Sequence, residues 1–138
     1  MGYSDYWGNM TFHRMDRISN MRIYDKPATP ITSVKGYENG LDFKQIASTM
    51  PYMYTDTPER IEFIADEYIV DQIFDWFGKD IRMSGLPDNG KKVKVELVAS
   101  PNAMEHWALQ YLNYVEVTKP ESLRERIKES LEKAIKRY

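Results

Sequence analysis

Between residues 60 and 138 the spacing of apolar side chains switches back and forth between two periods. No other feature narrows the fold so far. Ile61, Phe63 and Ala65 alternate with Arg60 and Glu62, the period of a half-buried strand. Val70, Ile73, Phe74 and Phe77 then recur at i, i+3, i+4 and i+7, an amphipathic helix ending near Gly78. Residues 81–85 and 92–99 flank Pro87-Asp88-Asn89-Gly90, a turn sequence that predicts a hairpin. In the second of these strands Val93, Val95, Leu97 and Ala99 share one face, and Lys92, Lys94 and Glu96 take the other. Pro101 suits the first turn of the next helix, where Met104, Trp107, Ala108, Tyr111 and Leu112 form an apolar face. A short strand over 114–117 leads into Thr118-Lys119-Pro120-Glu121, which has capping-box spacing. The last helix turns Leu123, Ile127, Leu131, Ala134 and Ile135 inward.

The predicted order is βαββαβ plus a C-terminal helix. That is an α+β fold of the ferredoxin-like, split βαβ kind. Its helices cover one face of a four-stranded antiparallel sheet and leave the other face free for water, a partner or a ligand.

The chain before residue 60 is less regular. Residues 10–24 carry β-branched and aromatic residues that suit one strand, or two with a break near Ser19-Asn20. Asp25, Lys26, Pro27, Pro30, Gly36, Asn39 and Gly40 then mark a connector. Leu41–Met50 reads as a short helix capped by Asp42, with Phe43, Ile46, Ala47 and Met50 on one face and Pro51 as its stop. The division is therefore 1–26, strands; 27–59, connector with a short helix; and 60–138, the ferredoxin-like domain.

The net charge of −2 gives no bulk attraction for nucleic acid or anionic membrane, so any anion site has to be local. The chain has no cysteine, which excludes disulfides and cysteine-containing zinc sites and fits a reducing compartment. No apolar run reaches the roughly 20 residues of a membrane span, and the N-terminus lacks the apolar stretch of a signal peptide. A cytoplasmic location is expected.

The stretch Phe12-His13-Arg14-Met15-Asp16-Arg17-Ile18 holds the best candidates for ligand contact. An arginine fork grips phosphate or carboxylate in bidentate fashion, and Arg14, Arg17 and His13 together could line an anion site. Strict alternation puts the two arginines on opposite faces of a strand, so one pocket holding both needs a bulge or twist. The plainer alternative pairs Arg17 with Asp16 or another carboxylate and leaves Arg14 exposed.

Lys91, Lys92 and Lys94 could touch phosphate, but as strand residues they also serve to solvate an edge. Residues 92–99 offer no aromatic on which a base could stack, which argues against an RNA-recognition platform. Trp76, Trp107 and Tyr111 lie at helical spacing and could form a ligand box, but a core or dimer-interface role is expected of them, and a surface or interface position of His106. The two histidines lie far apart, and no HExxH, CxxC or glycine-rich phosphate loop is present. No catalytic residue, metal site or cofactor is expected.

Met104–Val117 followed by Lys119-Pro120-Glu121-Ser122-Leu123-Arg124 resembles the end of WYL-domain transcriptional regulators, in which a helix with a tryptophan leads into a strand and a "P-x-x-L-R" helix start. Phe12–Ile18 is similar to the closing "F-R-L-D-R-I" strand of the family's barrel. The resemblance implies a bacterial regulator built from a DNA-binding winged helix-turn-helix, a ligand-sensing Sm/SH3-like barrel and a ferredoxin-like C-terminal extension (WCX). The Trp-Tyr-Leu tripeptide and the helix-turn-helix are absent from this chain. The chain is thus expected to hold the last barrel strands in 1–26 and the whole extension in 60–138. By the same resemblance it is expected to act as a homodimer. It would answer to a nucleotide or single-stranded nucleic-acid effector and reach promoter DNA only through the absent domain. The rival readings are a stand-alone ferredoxin-like small-molecule module and, less favoured by the scarcity of nucleophiles and histidines, a small enzyme.

Overall fold

The computed structural model describes residues 1–87 and 90–138. It begins with a small hairpin in which β1 (Gly2–Ser4) pairs antiparallel with β2 (Asn9–Thr11), Tyr3 opposite Met10. A long connector follows, with short 3-10 turns at Met15–Arg17 and Ile31–Ser33. It leads to α1 (Phe43–Thr49), where the Asp42 side chain accepts the Gln45 N–H at 3.0 Å, the capping expected from sequence. A further 3-10 turn, Pro51–Met53, hands the chain to the main domain.

That domain runs β3 (Glu59–Asp66), α2 (Val70–Phe77), β4 (Arg82–Gly85), β5 (Lys92–Ala99), α3 (Pro101–Gln110), β6 (Val115–Lys119) and α4 (Glu121–Ile135). The four strands form one antiparallel sheet in the order β4-β5-β3-β6. This is the split βαβ arrangement with an added helix that the periodicity predicts. Of the predicted Pro87–Gly90 turn, residues 88–89 lie outside the described residues.

The core sits between the sheet and the helices. β3 contributes Ile61, Phe63 and Ala65, and β5 contributes Val95, Leu97 and Ala99. Ile73 and Phe77 of α2, Met104, Trp107 and Ala108 of α3, and Leu123 and Ile127 of α4 cover them. Trp107 is the hub, its ring centroid 5.4 Å from that of Phe63, 5.0 Å from Phe77 and 4.9 Å from Tyr111. Each such large side chain contributes roughly 1.5–3 kcal/mol through burial. Gly78 ends α2 at φ +74°, a conformation that suits a residue without Cβ.

Three local expectations are corrected. Residues 12–24 do not extend the strand, because β2 stops at Thr11 and the side chains that follow have no apolar layer to face. A 3-10 turn, with Arg17 N–H to Arg14 O and Ile18 N–H to Met15 O each at 3.2 Å, bonds that backbone instead, and the Arg14 and Asp16 side chains pair beside it. Thr118 does not cap α4. It remains in β6, where its hydroxyl donates to the Glu62 carbonyl at 3.0 Å, and Pro120 takes the cap position. At the two ends of the apolar pattern, Phe43 and Ile135 are each 73% exposed, and Ala134 is exposed as well.

Candidate functional site

The predicted anion residues lie in the 3-10 turn after β2. Arg14 straddles the Asp16 carboxylate, Nε to Oδ1 at 2.9 Å and the terminal nitrogen to Oδ2 at 2.5 Å. The hydrogen-bonded pair raises the Arg14 pKa and lowers that of Asp16. Both groups are largely exposed, so solvent screens the pair and leaves it worth little in stability. The plainer alternative had the roles reversed: Arg14 is the paired arginine, and Arg17 has no ion-pair partner among the described residues. His13 Nε2 shares a hydrogen with the Thr11 hydroxyl at 2.8 Å, which anchors it to the hairpin. The three side chains sit on one exposed segment.

A second cluster was not foreseen. Residues 50–56 form a strap over α3. Tyr52 stacks on Trp76 of α2 at 4.8 Å, and its hydroxyl donates to Gln110 Oε1 at 2.7 Å. Burial raises the pKa of that hydroxyl, with Tyr111 adding to the effect. Tyr54 stacks on His106 at 5.3 Å, and its hydroxyl lies 2.6 Å from Nε2 of that ring. Trp76 Nε1 donates to the Tyr111 hydroxyl at 3.3 Å. Asp56 closes the strap, accepting the Asn102 N–H at 3.1 Å and the hydroxyl of Ser100, which is itself fully buried and caps α3. Tyr52 and Met53 hold φ of +59° and +60°, a left-handed conformation that costs of order 1 kcal/mol or more at a non-glycine residue. The strap's contacts hold that strain in place.

These placements settle where the expected interface residues lie. Trp107 is fully buried within the chain and offers no surface. Tyr111 is half-buried between Trp107 and Trp76, and His106 is exposed beneath Tyr54. The only sequence clue to the strap was the run Pro51-Tyr52-Met53-Tyr54, whose aromatic partners lie more than 20 residues away in the chain.

Beside the strap runs a groove of about 930 Å³, walled by α1 on one side and by the end of β5 and residues 75–82 on the other. Lys44 of α1 reaches across to Asp80 at 3.3 Å. The lysines and arginines facing the groove are matched in number by aspartates and glutamates, so it has no net charge to attract an anion.

The open face of the sheet is an ion-pair lattice. Glu62 meets Lys94 at 3.0 Å and Lys119 at 3.2 Å, and Glu96 meets Arg60 at 2.5 Å and Lys94 at 3.2 Å. Lys94 first and Lys119 second lower the Glu62 pKa, and Arg60 then Lys94 lower that of Glu96. Lys92 lies 3.9 Å from Asp66. The basic cluster read from sequence is thus mostly spent on neighbouring carboxylates, with no aromatic platform between. Among the described residues no helix is long and apolar enough to cross a membrane.

The sequence model of the WCX domain, the WYL C-terminal extension, matches residues 57–135. The chain belongs to the WCX-domain family. No curated protein matches the chain. The matched span starts just after Asp56 and ends with α4, so it coincides with the sheet and its three covering helices. The WCX domain is typical of WYL-domain transcriptional regulators. The strap that grips α3 lies immediately upstream of the WCX domain and joins it to the N-terminal segment carrying Arg14 and Arg17.

Proposed function

We propose that this chain is the C-terminal, effector-responsive part of a WYL-type transcriptional regulator. It is non-enzymatic, works as a homodimer in the cytoplasm, and passes effector occupancy to a DNA-binding domain. The observation that carries this reading is the WCX domain itself, joined through the strap to the segment that resembles the closing strand of a WYL barrel. Arg17, free of an ion-pair partner among the described residues, is the first contact for a phosphate-bearing effector. Arg14 is the second, once it exchanges Asp16 for the ligand.

Fluorescence anisotropy with a labelled single-stranded oligonucleotide tests this on the intact chain. Binding should weaken with salt, and each phosphate contact removed by Arg17→Glu or Arg14→Glu should lower the log–log salt slope by about 0.7. Unchanged affinity and slope in both variants would refute the anion site. Saturable binding of an uncharged small molecule in the α1 groove would favour the alternative, a stand-alone ferredoxin-like binding module, for which the 930 Å³ groove is the supporting observation.

A further inference from the structure

The two edges of the four-stranded sheet end differently. In an antiparallel ladder alternate residues of a strand bond alternate neighbours, so the backbone hydrogen bonds fix which way each N–H and C=O points. Just before β5 the Lys91 carbonyl accepts the Glu67 N–H at 2.8 Å, and at its first residue the Lys92 carbonyl accepts the Leu86 N–H at 3.2 Å. By that alternation and the register of the strands, Val93, Val95 and Leu97 bond β3, while Lys94 and Glu96 bond Ser84 and Arg82 of β4. Met83 and Gly85 therefore turn their N–H and C=O groups away from the sheet. Among the described residues nothing hydrogen-bonds to them there.

On the opposite edge the same alternation turns Val115 and Val117 of β6 outward, since the Tyr114 carbonyl accepts the Asp66 N–H at 2.9 Å. There the chain supplies its own partners. The Val115 N–H donates to the Tyr111 carbonyl at 3.0 Å, and Arg124 of α4 donates to the Val117 carbonyl at 2.8 Å. The β4 edge has no such closure among the described residues, and Arg82, Ser84 and Gly85 are exposed along it. An edge of this kind offers backbone donors and acceptors to a further strand.

The flanks of that edge define the strand that fits. Ile81 and Met83 lie on the helix side, packed against the core, and Arg82 and Ser84 lie on the open face. Arg82 stands opposite Glu96, but Glu96 is already held by Arg60 and Lys94. Lys79 and Arg82 have no ion-pair partner among the described residues, and Asp80 beside them is held by Lys44. Over residues 79–92 the sequence sets Lys79, Arg82, Lys91 and Lys92 against Asp80 and Asp88, a local positive surplus in a chain of net charge −2. A second copy of β4 would bring this surplus against itself, and like charges across a strand pair destabilise it. A strand with carboxylates on the Arg82 side and apolar side chains on the Met83 side matches both faces.

We propose that the β4 edge takes an extended, acidic segment of another protein by strand addition. Met83 and Gly85 supply the backbone hydrogen bonds, and Arg82 supplies the charge contact. Neither Arg14, Arg17 nor the homodimer enters, so this site stands or falls apart from the function proposed above. The free groups of β4 come from Met83 and Gly85 alone, so the affinity is modest, with a dissociation constant on the order of 10–100 µM.

Fluorescence anisotropy on the full chain tests this with a labelled peptide of about eight alternating glutamate and valine residues, at protein concentrations up to about 1 mM. The peptide should bind saturably and more weakly as salt rises, and its lysine–valine counterpart should not bind. Arg82→Glu should weaken binding about tenfold or more. Gly85→Pro removes an N–H that bonds nothing in the chain, and a Cβ at Gly85 meets no atom within 4 Å. That variant should keep its far-UV circular dichroism spectrum and lose about tenfold or more in affinity. N-methylating one alternate set of peptide residues should abolish binding and N-methylating the other should spare it, a readout that leaves the protein unaltered. Amide hydrogen exchange read by NMR should show Met83 and Gly85 gaining protection in the complex. Absence of saturable binding, equal binding of the lysine peptide, or indifference to Gly85→Pro and to both N-methylated peptides overturns the proposal. A single-stranded oligonucleotide that protects the same two amides as tightly as the peptide overturns the choice of a protein partner.

Discussion

Replacing Asp56 by alanine should cut the strap's main polar tie to the WCX domain. The Asp56 carboxylate takes two hydrogen bonds, one from the Ser100 hydroxyl and one from the Asn102 amide at the start of α3. Ser100 is fully buried, so its hydroxyl hydrogen has no water to turn to, and an orphaned buried donor costs about 1–3 kcal/mol. The Asn102 amide is half-buried and recovers part of its loss from solvent. A carboxylate at a helix N-terminus is worth a further ~0.3–1 kcal/mol against the dipole. Some relaxation of the strap offsets these terms, which leaves an expected loss of about 2–3 kcal/mol. Asp56→Asn keeps one acceptor oxygen but loses the charge, and should cost about half as much. Urea titration followed by far-UV circular dichroism measures both, with the slope unchanged if only stability moves. Chymotrypsin should at the same time cut faster beside Tyr52 and Tyr54. If Asp56→Ala loses less than about 0.5 kcal/mol and cleavage is unchanged, the strap is not held by this residue and the reasoning fails.

Met53 holds φ +60° with its side chain 67% exposed, so Met53→Gly should raise stability by up to about 1 kcal/mol in the same titration, whereas Tyr52→Gly should lower it by losing the Trp76 stack. Glu62 and Glu96 have lowered pKa values in the fold, so their stabilisation is fully present above the ordinary carboxylate pKa of about 4.3 and is lost as pH falls through the depressed folded values. Acid titration of Glu62→Gln and Glu96→Gln should therefore show a shallower fall in stability below about pH 4 than the parent. Asp56→Ala and Arg126→Ala share Asn102 as a partner, so a double-mutant cycle should return a coupling of about 0.5–1 kcal/mol, and strict additivity would refute a shared network.

The parts of this fold that could be read from sequence are those where burial imposes a period. Ile61, Phe63 and Ala65 alternate because one face of β3 meets the helices and the other carries Glu62 in the ion lattice. The stretch after β2 has strand-like residue types, but side-chain identity alone does not supply a neighbouring strand. Without that ladder a local Arg14–Asp16 pair wins. Thr118 shows the same competition in reverse. Its spacing to Glu121 fits a capping box, yet the Glu62 carbonyl on the neighbouring strand reaches its hydroxyl first. The strap was illegible for a different reason. Tyr52, Tyr54 and Asp56 find Gln110, His106 and Ser100 at sequence separations of 58, 52 and 44 residues, and no local pattern records such meetings. The candidate anion residues were legible as residue types but not as a geometry, since the exchange of roles between Arg14 and Arg17 depends on the 3-10 turn at Met15–Arg17.

The strap contacts place α3 between the strap and α4. Asp56 holds its first turn, Tyr54 its middle and Tyr52 its last residue, so a displacement of the strap acts on the whole helix rather than on one end. On its other side α3 holds α4 through Glu105. Burial alone would raise the pKa of that carboxylate, but bonds from Arg126 and from the Ser130 hydroxyl at 2.9 Å outweigh it and keep the group charged. Arg126 also reaches Asn102 Oδ1 at 2.6 Å, and the Asn102 amide is the one Asp56 accepts. The strap and α4 are therefore joined through charge-assisted bonds that share residues, whereas the open face of the sheet neutralises its charges within itself. The strap is thereby tied to α4 through Asn102, whose amide N–H meets Asp56 and whose Oδ1 accepts from Arg126.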